Sequence, residues 1–449
     1  MGRPSHARAL SVWTNGLRVG TWRIPSRGDM EFQYDRDWMA SPAGRPLSLS
    51  LPFGIDDAPL RGERVRNYFD NLLPDSEPIR RCLATRFRTA TADAFDLLEA
   101  IGRDCVGAAQ LLAEDAQPEG FDRIEGTPMS DDEIAEMLAR TVASGGPGAG
   151  RDDEYDDFRI SLAGAQEKTA FLWHKKKWMR PHGATPTTHI FKLPLGLVGN
   201  KKADWTTSVE NEWLCLALFR AFGLPAPNAD ILNFGEQKVL AVERFDRRLH
   251  PSKKWILRLP QEDFCQVLGK PSHQRYEADG GPGMIDIAGV LRQSERPDAD
   301  LDTFLSAQIL FWMLAAPDGH AKNFSVHLMP GGRYALTPLY DIMSIWPVEG
   351  DGGNQWSWHK AKLAIAVAGK NRHYLMKDIQ RRNFNAMASR CFYGPDAEPL
   401  IGRLIDATPA AIETVAAALP AGFPERVAER IFDGLRTSAE RLAAMPPGI

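Results

Sequence analysis

The run Ala316-Pro317-Asp318-Gly319-His320-Ala321-Lys322-Asn323, followed by Leu336-Thr337-Pro338-Leu339-Tyr340-Asp341, decides how this chain is read. It sets down a carboxylate, an amide five residues on, and a second carboxylate beyond a short strand-like segment. Those three groups suit a magnesium-bound nucleotide. Phosphoryl transfer asks a protein mainly for positioning and charge: a carboxylate to orient the attacking hydroxyl, and oxygen ligands to hold the metal on the phosphates. Asp318 is the candidate for the first task. Asn323 and Asp341 are the candidates for the second, because Mg2+ prefers hard oxygen ligands and takes few of them from protein. A bare D-x-x-x-x-N is more often a polar turn between a helix and a strand, so the weight comes from its context.

Five segments precede Asp318 in order: Ser161-Leu162-Ala163-Gly164-Ala165-Gln166-Glu167-Lys168-Thr169, His189-Ile190-Phe191-Lys192-Leu193-Pro194, Ala241-Val242-Glu243-Arg244-Phe245-Asp246-Arg247, Leu257-Arg258-Leu259-Pro260-Gln261-Glu262-Asp263 and Tyr276-Glu277-Ala278-Asp279-Gly280-Gly281. Together they resemble the HipA family, the serine/threonine kinase toxins of bacterial type II toxin–antitoxin systems. The resemblance covers nearly the whole chain and is strongest from Arg159 to Ser344. Asp318 and Asn323 also have the spacing of base and metal-binding amide in a protein-kinase catalytic loop.

The fold class expected is α+β, a protein-kinase-like two-lobe fold of the HipA type. Residues 1–114 read as a β-rich N-terminal subdomain. Residues 115–246 read as a small lobe with nucleotide-binding elements, and 247–449 as a mainly helical lobe with the catalytic loop. Alternation at Leu10, Val12 and Thr14, then Asn15-Gly16, then Leu17, Val19 and Thr21 predicts a hairpin with a type I′ turn. Residues 128–143 read as an amphipathic helix capped by Ser130-Asp131-Asp132-Glu133. The glycines of 145–150 and the acidic residues after them read as a linker, because a phosphate loop would not be followed by repelling carboxylates. Ser208–Phe222 reads as a helix ended by Gly223 and Pro225. Later helices are expected at 263–268, 283–291, 301–315, 410–419 and 423–444.

Composition fits this picture. Of 449 residues, 43% are hydrophobic and 25% charged, with a net charge of −4. That balance reads as globular and provides no global field toward nucleic acid or acidic lipid. The cysteines Cys82, Cys105, Cys215, Cys265 and Cys391 are scattered and odd in number, as expected for reduced thiols in a cytoplasmic protein. No run has signal-peptide or membrane-spanning character, so no membrane partner is expected.

The resemblance assigns further residues. Ala163, Gly164, Ala165, Gln166, Glu167 and Lys168 stand where backbone N–H groups approach phosphates, and Lys192 holds the nucleotide phosphates. Ser161 is the autophosphorylation site; a phosphate there adds about −1.5 to −2 charge and repels the nucleotide. Glu243, Arg244 and Phe245 form the hinge at the adenine edge, with Asp246 in support. His320 and Lys322 join Asp318 as catalytic candidates, Lys322 as the charge that steadies the transferred group. Tyr340 joins Asp341 beside the nucleotide. The partner of Lys192 is Glu212 or Glu210. Pro317 departs from the Thr or Asn usual before the aspartate. Arg258, Gln261, Glu262, Asp263, Tyr276 and Glu277 receive no chemical step. Lys175-Lys176-Lys177 and Arg381-Arg382 read as solvated charge in preference to a nucleic-acid contact.

The cofactors implied are ATP and Mg2+. The implied substrate is a translation component, an aminoacyl-tRNA synthetase, whose phosphorylation arrests growth. The implied partner is a helix-turn-helix antitoxin of the HipB type, with operator DNA bound mainly through it. Two other readings stand beside this one: a catalytically weak, nucleotide-binding corepressor scaffold, toward which Pro317 leans, and a small-molecule kinase.

Overall fold

A computed structural model describes residues 8–54, 56, 58–143, 166, 168–199 and 202–448. The linker at 145–157 lies outside the described residues.

The N-terminal hairpin forms as its alternation requires. Arg8–Thr14 pairs antiparallel with Leu17–Ile24, and Asn15 and Gly16 both take positive φ (48° and 83°) at the turn. The sheet is completed in the order Leu60–Arg61, Glu31–Tyr34, Leu17–Ile24, Arg8–Thr14, Gln110–Ala113. Its inner face covers the helices Glu63–Asp70 and Ala94–Ile101, with Trp22 stacked on Phe69 at 4.0 Å.

The next sheet has six strands, ordered Ala229–Phe234, Gln237–Glu243, His189–Lys192, Lys168–His174, Lys177–Pro181, Gly126–Pro128. A helix packs on each face, and both were expected from the sequence. Phe171, Phe191, Val239 and Ala241 face the helix Asp131–Ala143 through Ile134, Met137 and Leu138. Leu240 and Val242 face the opposite way, into the core shared with Ser208–Ala221. Strand side chains alternate between faces, so Phe191 on the first face turns Lys192 toward the second helix. The capping box of the first helix is present: Ser130 N–H donates to Glu133 Oε2 at 2.7 Å, and Glu133 N–H to Ser130 Oγ at 3.3 Å.

Pro297–Met313 is the central helix of the C-terminal lobe, buried all round from Phe304 to Met313 in the largest core. It ends in a Schellman motif, with Ala316 N–H donating to Phe311 O and Ala315 N–H to Trp312 O. Ala315 holds the left-handed position (φ 47°) that glycine usually occupies, at a cost of about 1 kcal/mol. Pro317 follows directly, where a helix has already stopped and a missing N–H costs nothing. Its carbonyl accepts from Ala364 N–H at 2.9 Å. Three short strands, Gln261–Asp263, Ser325–Leu328 and Tyr334–Leu336, pair antiparallel and frame the loop between Asp318 and Asp341.

The C-terminal lobe holds further elements that the sequence pattern did not announce. The hairpin Lys362–Ala368 with Arg372–Leu375 and the helix Arg381–Arg390 fill the lobe beyond the site. The helix expected from 410 begins at Glu398 and runs through Pro409 to Ala417. Leu400, Ile401 and Leu404 before the proline and Ala411, Ile412 and Val415 after it form one buried stripe, whose packing outweighs the roughly 3 kcal/mol an interior proline costs. Arg381 is not a solvated cation, because Glu398 engages its guanidinium at 3.0 and 3.1 Å.

The N-terminal subdomain is fastened to the rest by buried charge. Asp104 faces Arg247 at 2.9 Å, Arg258 at 3.2 Å and Arg244 at 3.5 Å. Asp246 accepts from Arg244 at 2.8 and 2.9 Å and from Gly107 N–H at 2.7 Å. Burial alone would raise the carboxyl of Asp104, but the three guanidinium groups pull it down to about 2. Burial pushes Arg258 down to about 10.

Nearby, Glu262 is buried against the loop at 48–50, where Oε1 accepts from Leu49 N–H at 2.8 Å. Burial pushes its carboxyl up to about 8. A carboxyl raised on folding contributes stability below its unfolded pKa and loses it as pH rises through the folded one. Glu262→Gln keeps the acceptor without the charge. We expect it to be more stable than the wild type at pH 9 by roughly 1–4 kcal/mol, with the gap closing toward pH 5. Denaturant titrations at the two pH values check this, and a pH-independent difference would contradict it.

Candidate active site

Lys192 sits where three elements converge. Its Nζ lies 2.6 Å from Glu212 Oε1, on the helix Ser208–Ala221, and 2.8 Å from Asp341 Oδ1. Glu210 turns the other way and pairs with Lys238 at 2.5 Å, so Glu212 is the partner. Burial works against the charge on Lys192, but Asp341 and Glu212 outweigh it and its pKa rises. Burial would also raise Asp341, but Lys192 and then Lys168 hold it well below the usual carboxylate range. Burial lowers the pKa of Lys168, which stands opposite Lys192 across the sheet. Asp341 adopts φ 61°, a strained conformation for a non-glycine residue and one that clusters at functional sites.

The loop after Pro317 is folded tightly around Asn323. Its Nδ2 donates to Asp318 O at 2.7 Å and to Asp341 O at 3.4 Å, which ties the two carboxylate-bearing segments together. Gly319 is needed by close approach: a Cβ there would fall 2.3 Å from the ring of Phe311. The Asp318 side chain is oriented by Tyr276, whose hydroxyl donates to Oδ1 at 2.7 Å. Burial and then the Asp318 charge push the Tyr276 phenol up, so it remains a donor. His320 is buried, 5.1 Å from the Tyr276 ring and edge-on to it. Burial lowers its pKa, with Asp318 opposing, so a neutral imidazole is present at physiological pH. Tyr340 donates to Lys322 O at 2.9 Å, and its ring lies 5.6 Å from Phe245.

These residues fit a nucleotide with magnesium. The Asn323 amide nitrogen is fixed on two carbonyls, which presents its oxygen as the ligand atom. Lys192 engages one oxygen of Asp341, and the carboxylate has a second. Among the described residues no cluster of three His, Cys, Asp or Glu forms a cage. Magnesium keeps several waters and takes phosphate oxygens, so two protein oxygens suffice.

Two residues are placed differently from expectation. Lys322 does not offer its charge to a transferred group. Its Nζ is buried beside Asn71 Oδ1 at 2.8 Å, Asp75 Oδ1 at 3.1 Å and Asp263 Oδ2 at 3.5 Å. The side chain of Arg244 does not face a nucleotide, because it is locked into the Asp104–Asp246 cluster and its backbone N–H donates to Thr188 O. Glu243 is exposed and accepts from Asn228 at 3.0 Å. Gln166 donates to Leu193 O at 2.6 Å, next to Lys192. Ser161, Ala163, Gly164, Ala165 and Glu167 lie outside the described residues.

Two family models match most of the chain. The HipA-like C-terminal domain matches residues 160–412, and the HipA N-terminal domain matches residues 10–112. The chain belongs to the HipA family. A putative kinase of Sinorhizobium fredii, Y4mE, is 33% identical over 75% of this chain and 77% of its own length. The serine/threonine-protein kinase toxin HipA of Shewanella oneidensis is 28% identical over 75% of each. A chain of the Shewanella oneidensis complex of HipA, HipB and operator DNA superposes with a TM-score of 0.77 at 24% identity, covering 97% of both chains. The fold is therefore the two-lobe, kinase-like HipA fold. No described helix is long and apolar enough to cross a membrane.

Sequence reading missed the Tyr276 hydroxyl on Asp318 and the buried placement of Lys322. The signal for the second was available. In Asn67-Tyr68-Phe69-Asp70-Asn71-Leu72-Leu73-Pro74-Asp75, Asn67, Asn71 and Asp75 recur at helical spacing beside apolar residues. All three reach the C-terminal lobe of this HipA chain: Asn67 and Asn71 donate to Gly269 O and Lys270 O, and Asp75 meets Lys322. Lys322→Met would leave Asp263 buried without its cation and Asp75 with Arg275 alone. We expect a loss of about 3–5 kcal/mol in stability by denaturant titration. Wild-type stability in this variant would contradict the assignment.

Proposed function

We propose that this protein is an ATP- and magnesium-dependent serine/threonine protein kinase that acts as the toxin of a type II toxin–antitoxin system. The observation that carries this reading is the bridge from Lys192 to Glu212 and Asp341, with Asp318 and Asn323 joined to Asp341 by one amide. The names of the relatives, a kinase toxin and a putative kinase, support it. In this reading Lys192 and Lys168 draw the phosphates in, and Asp341 and Asn323 supply oxygen ligands. Magnesium, when bound there, neutralises charge on the phosphates. Asp318, held by Tyr276 through Oδ1, presents its other oxygen to the substrate hydroxyl and accepts its proton. Neutral His320 walls the site beside it. The bond formed is from the substrate oxygen to the γ-phosphorus, and the bond broken is from that phosphorus to the leaving ADP oxygen.

The finer reading follows the family. The substrate is a translation component, an aminoacyl-tRNA synthetase. Ser161 is autophosphorylated, and its new charge expels the loop from the site. The partner is a HipB-type helix-turn-helix antitoxin, through which operator DNA is bound and the operon repressed. The complex of HipA, HipB and operator DNA formed by the Shewanella oneidensis proteins supports this assignment. The Schellman ending ahead of Pro317 accommodates the proline without breaking a helix, which supports the kinase reading over a catalytically weak corepressor scaffold.

Two measurements test the reading. Lys192→Ala is expected to weaken ATP binding by about 10-fold or more, since it removes the phosphate cation and leaves Glu212 facing Asp341; unchanged affinity by calorimetry would make the lysine merely structural. Incubation of the wild type with labelled ATP and magnesium, alone and with a bacterial lysate, is expected to label Ser161 and a translation protein by mass spectrometry, with the self-label absent in Ser161→Ala. Label on a metabolite only would favour the small-molecule kinase.

A further inference from the structure

We propose that Asp75, contributed by the N-terminal subdomain, is a positioning residue for phosphoryl transfer, an assignment that rests on the kinase reading above. Asp75 follows the helix Glu63–Asp70 and the turn Leu72-Leu73-Pro74, and its side chain is 3% exposed inside the C-terminal lobe. Its two oxygens face two segments that flank Asp318. Oδ1 meets Lys322 at 3.1 Å, four residues past Asp318 in the catalytic loop. Oδ2 meets Arg275 at 3.6 Å, and that guanidinium lies over the ring of Tyr276 at 5.0 Å. Tyr276 in turn donates to Asp318 Oδ1. The loop is sewn to the same segment by its backbone, with Ala321 N–H donating to Arg275 O at 3.2 Å.

One carboxylate from outside the two lobes therefore fixes both the loop that carries the base and the tyrosine that aims it. Asp75 touches neither the candidate phosphate-binding group Lys192 nor the ligand oxygens of Asn323 and Asp341. Its neighbours hold it firmly in this place. Asp70 bonds Arg80 at 2.6 Å and Ser272 at 2.8 Å, and Asn71 bonds Lys270 O at 2.9 Å. The N-terminal subdomain thus does part of the work of catalysis, and any partner or substitution that shifts it alters turnover at a distance.

A positioning role separates turnover from nucleotide binding. In the full chain, Asp75→Asn is expected to lower kcat about 10- to 100-fold, because a displacement of about 1 Å at a base costs that much. The KM for ATP should stay within about twofold of the wild type, since Lys192, Asn323 and Asp341 keep their contacts and only the lesser pull of the Asp75 charge on Lys168 is lost. Asp75→Glu, which keeps the charge, should recover part of kcat. Arg275→Gln is the second variant: it cuts the link to Tyr276 at a partly exposed residue and leaves Lys322 paired, so it tests the proposal even where Asp75→Asn fails to fold. It should lower kcat about 10-fold with ATP binding intact. Turnover within about twofold of the wild type in Arg275→Gln, or in folded Asp75→Asn, overturns the assignment. Equal losses of ATP binding and turnover also overturn it, because they mark a structural role only. A wild type that transfers no phosphate from labelled ATP overturns the kinase reading, and this assignment with it.

Discussion

A buried ammonium between two carboxylates organises this molecule. Lys192 draws together the strand His189–Lys192, the helix Ser208–Ala221 and the segment that ends at Asp341, so both lobes meet on one charge. Taking three charges out of water is costly, and such a cluster persists only where the surrounding packing fixes it. The strand alternation that buries Phe191 on one face obliges Lys192 to point to the other. The helix phase then selects Glu212 over Glu210. Removing Lys192 leaves two buried carboxylates without their shared cation, which makes this point of the fold sensitive to substitution.

The N-terminal subdomain is joined to that centre by polar contacts more than by apolar ones. The cluster of Asp104, Asp246, Arg244, Arg247 and Arg258 fixes it beside the segment 243–247, and Asn67, Asn71 and Asp75 fix it beside the segment 269–270 and Lys322. Its own core, built on Trp22, Phe69 and Phe95, is separate from the core of the lobes. Arg258, Gln261, Glu262 and Asp263 had no chemical step to explain them in the sequence; Arg258 meets Asp104, Gln261 donates to Asp246 at 3.3 Å, Glu262 accepts from Leu49 N–H and Asp263 meets Lys322, all along this seam.

The parts of the fold governed by local rules were legible. The Asn15-Gly16 turn, the Ser130/Glu133 cap and the helix ending at Gly223 each follow from backbone chemistry within a few residues. Site residues carried by spacing, such as Asp318 with Asn323, could be named for the same reason. What could not be read were side-chain destinations set by tertiary contacts. Lys322 looks like a catalytic cation in sequence, yet oxygens of Asn71, Asp75 and Asp263, from two distant segments, surround it. Arg244 sits in a hinge motif, yet two aspartates claim its guanidinium. The helix through Pro409 was hidden because a local breaker was overruled by a buried stripe that only packing reveals.

The central claim is that this arrangement transfers a phosphoryl group, with Asp318 as the orienting base and the nucleotide held independently of it. The most direct measurement is single-turnover transfer from ATP by Asp318→Asn beside the wild type, with the affinity of each for magnesium-bound ATP measured on the same preparations. The account predicts unchanged nucleotide affinity and transfer reduced to the background of a protein-free control. Transfer by Asp318→Asn at the wild-type rate would contradict it and remove Asp318 from the chemistry.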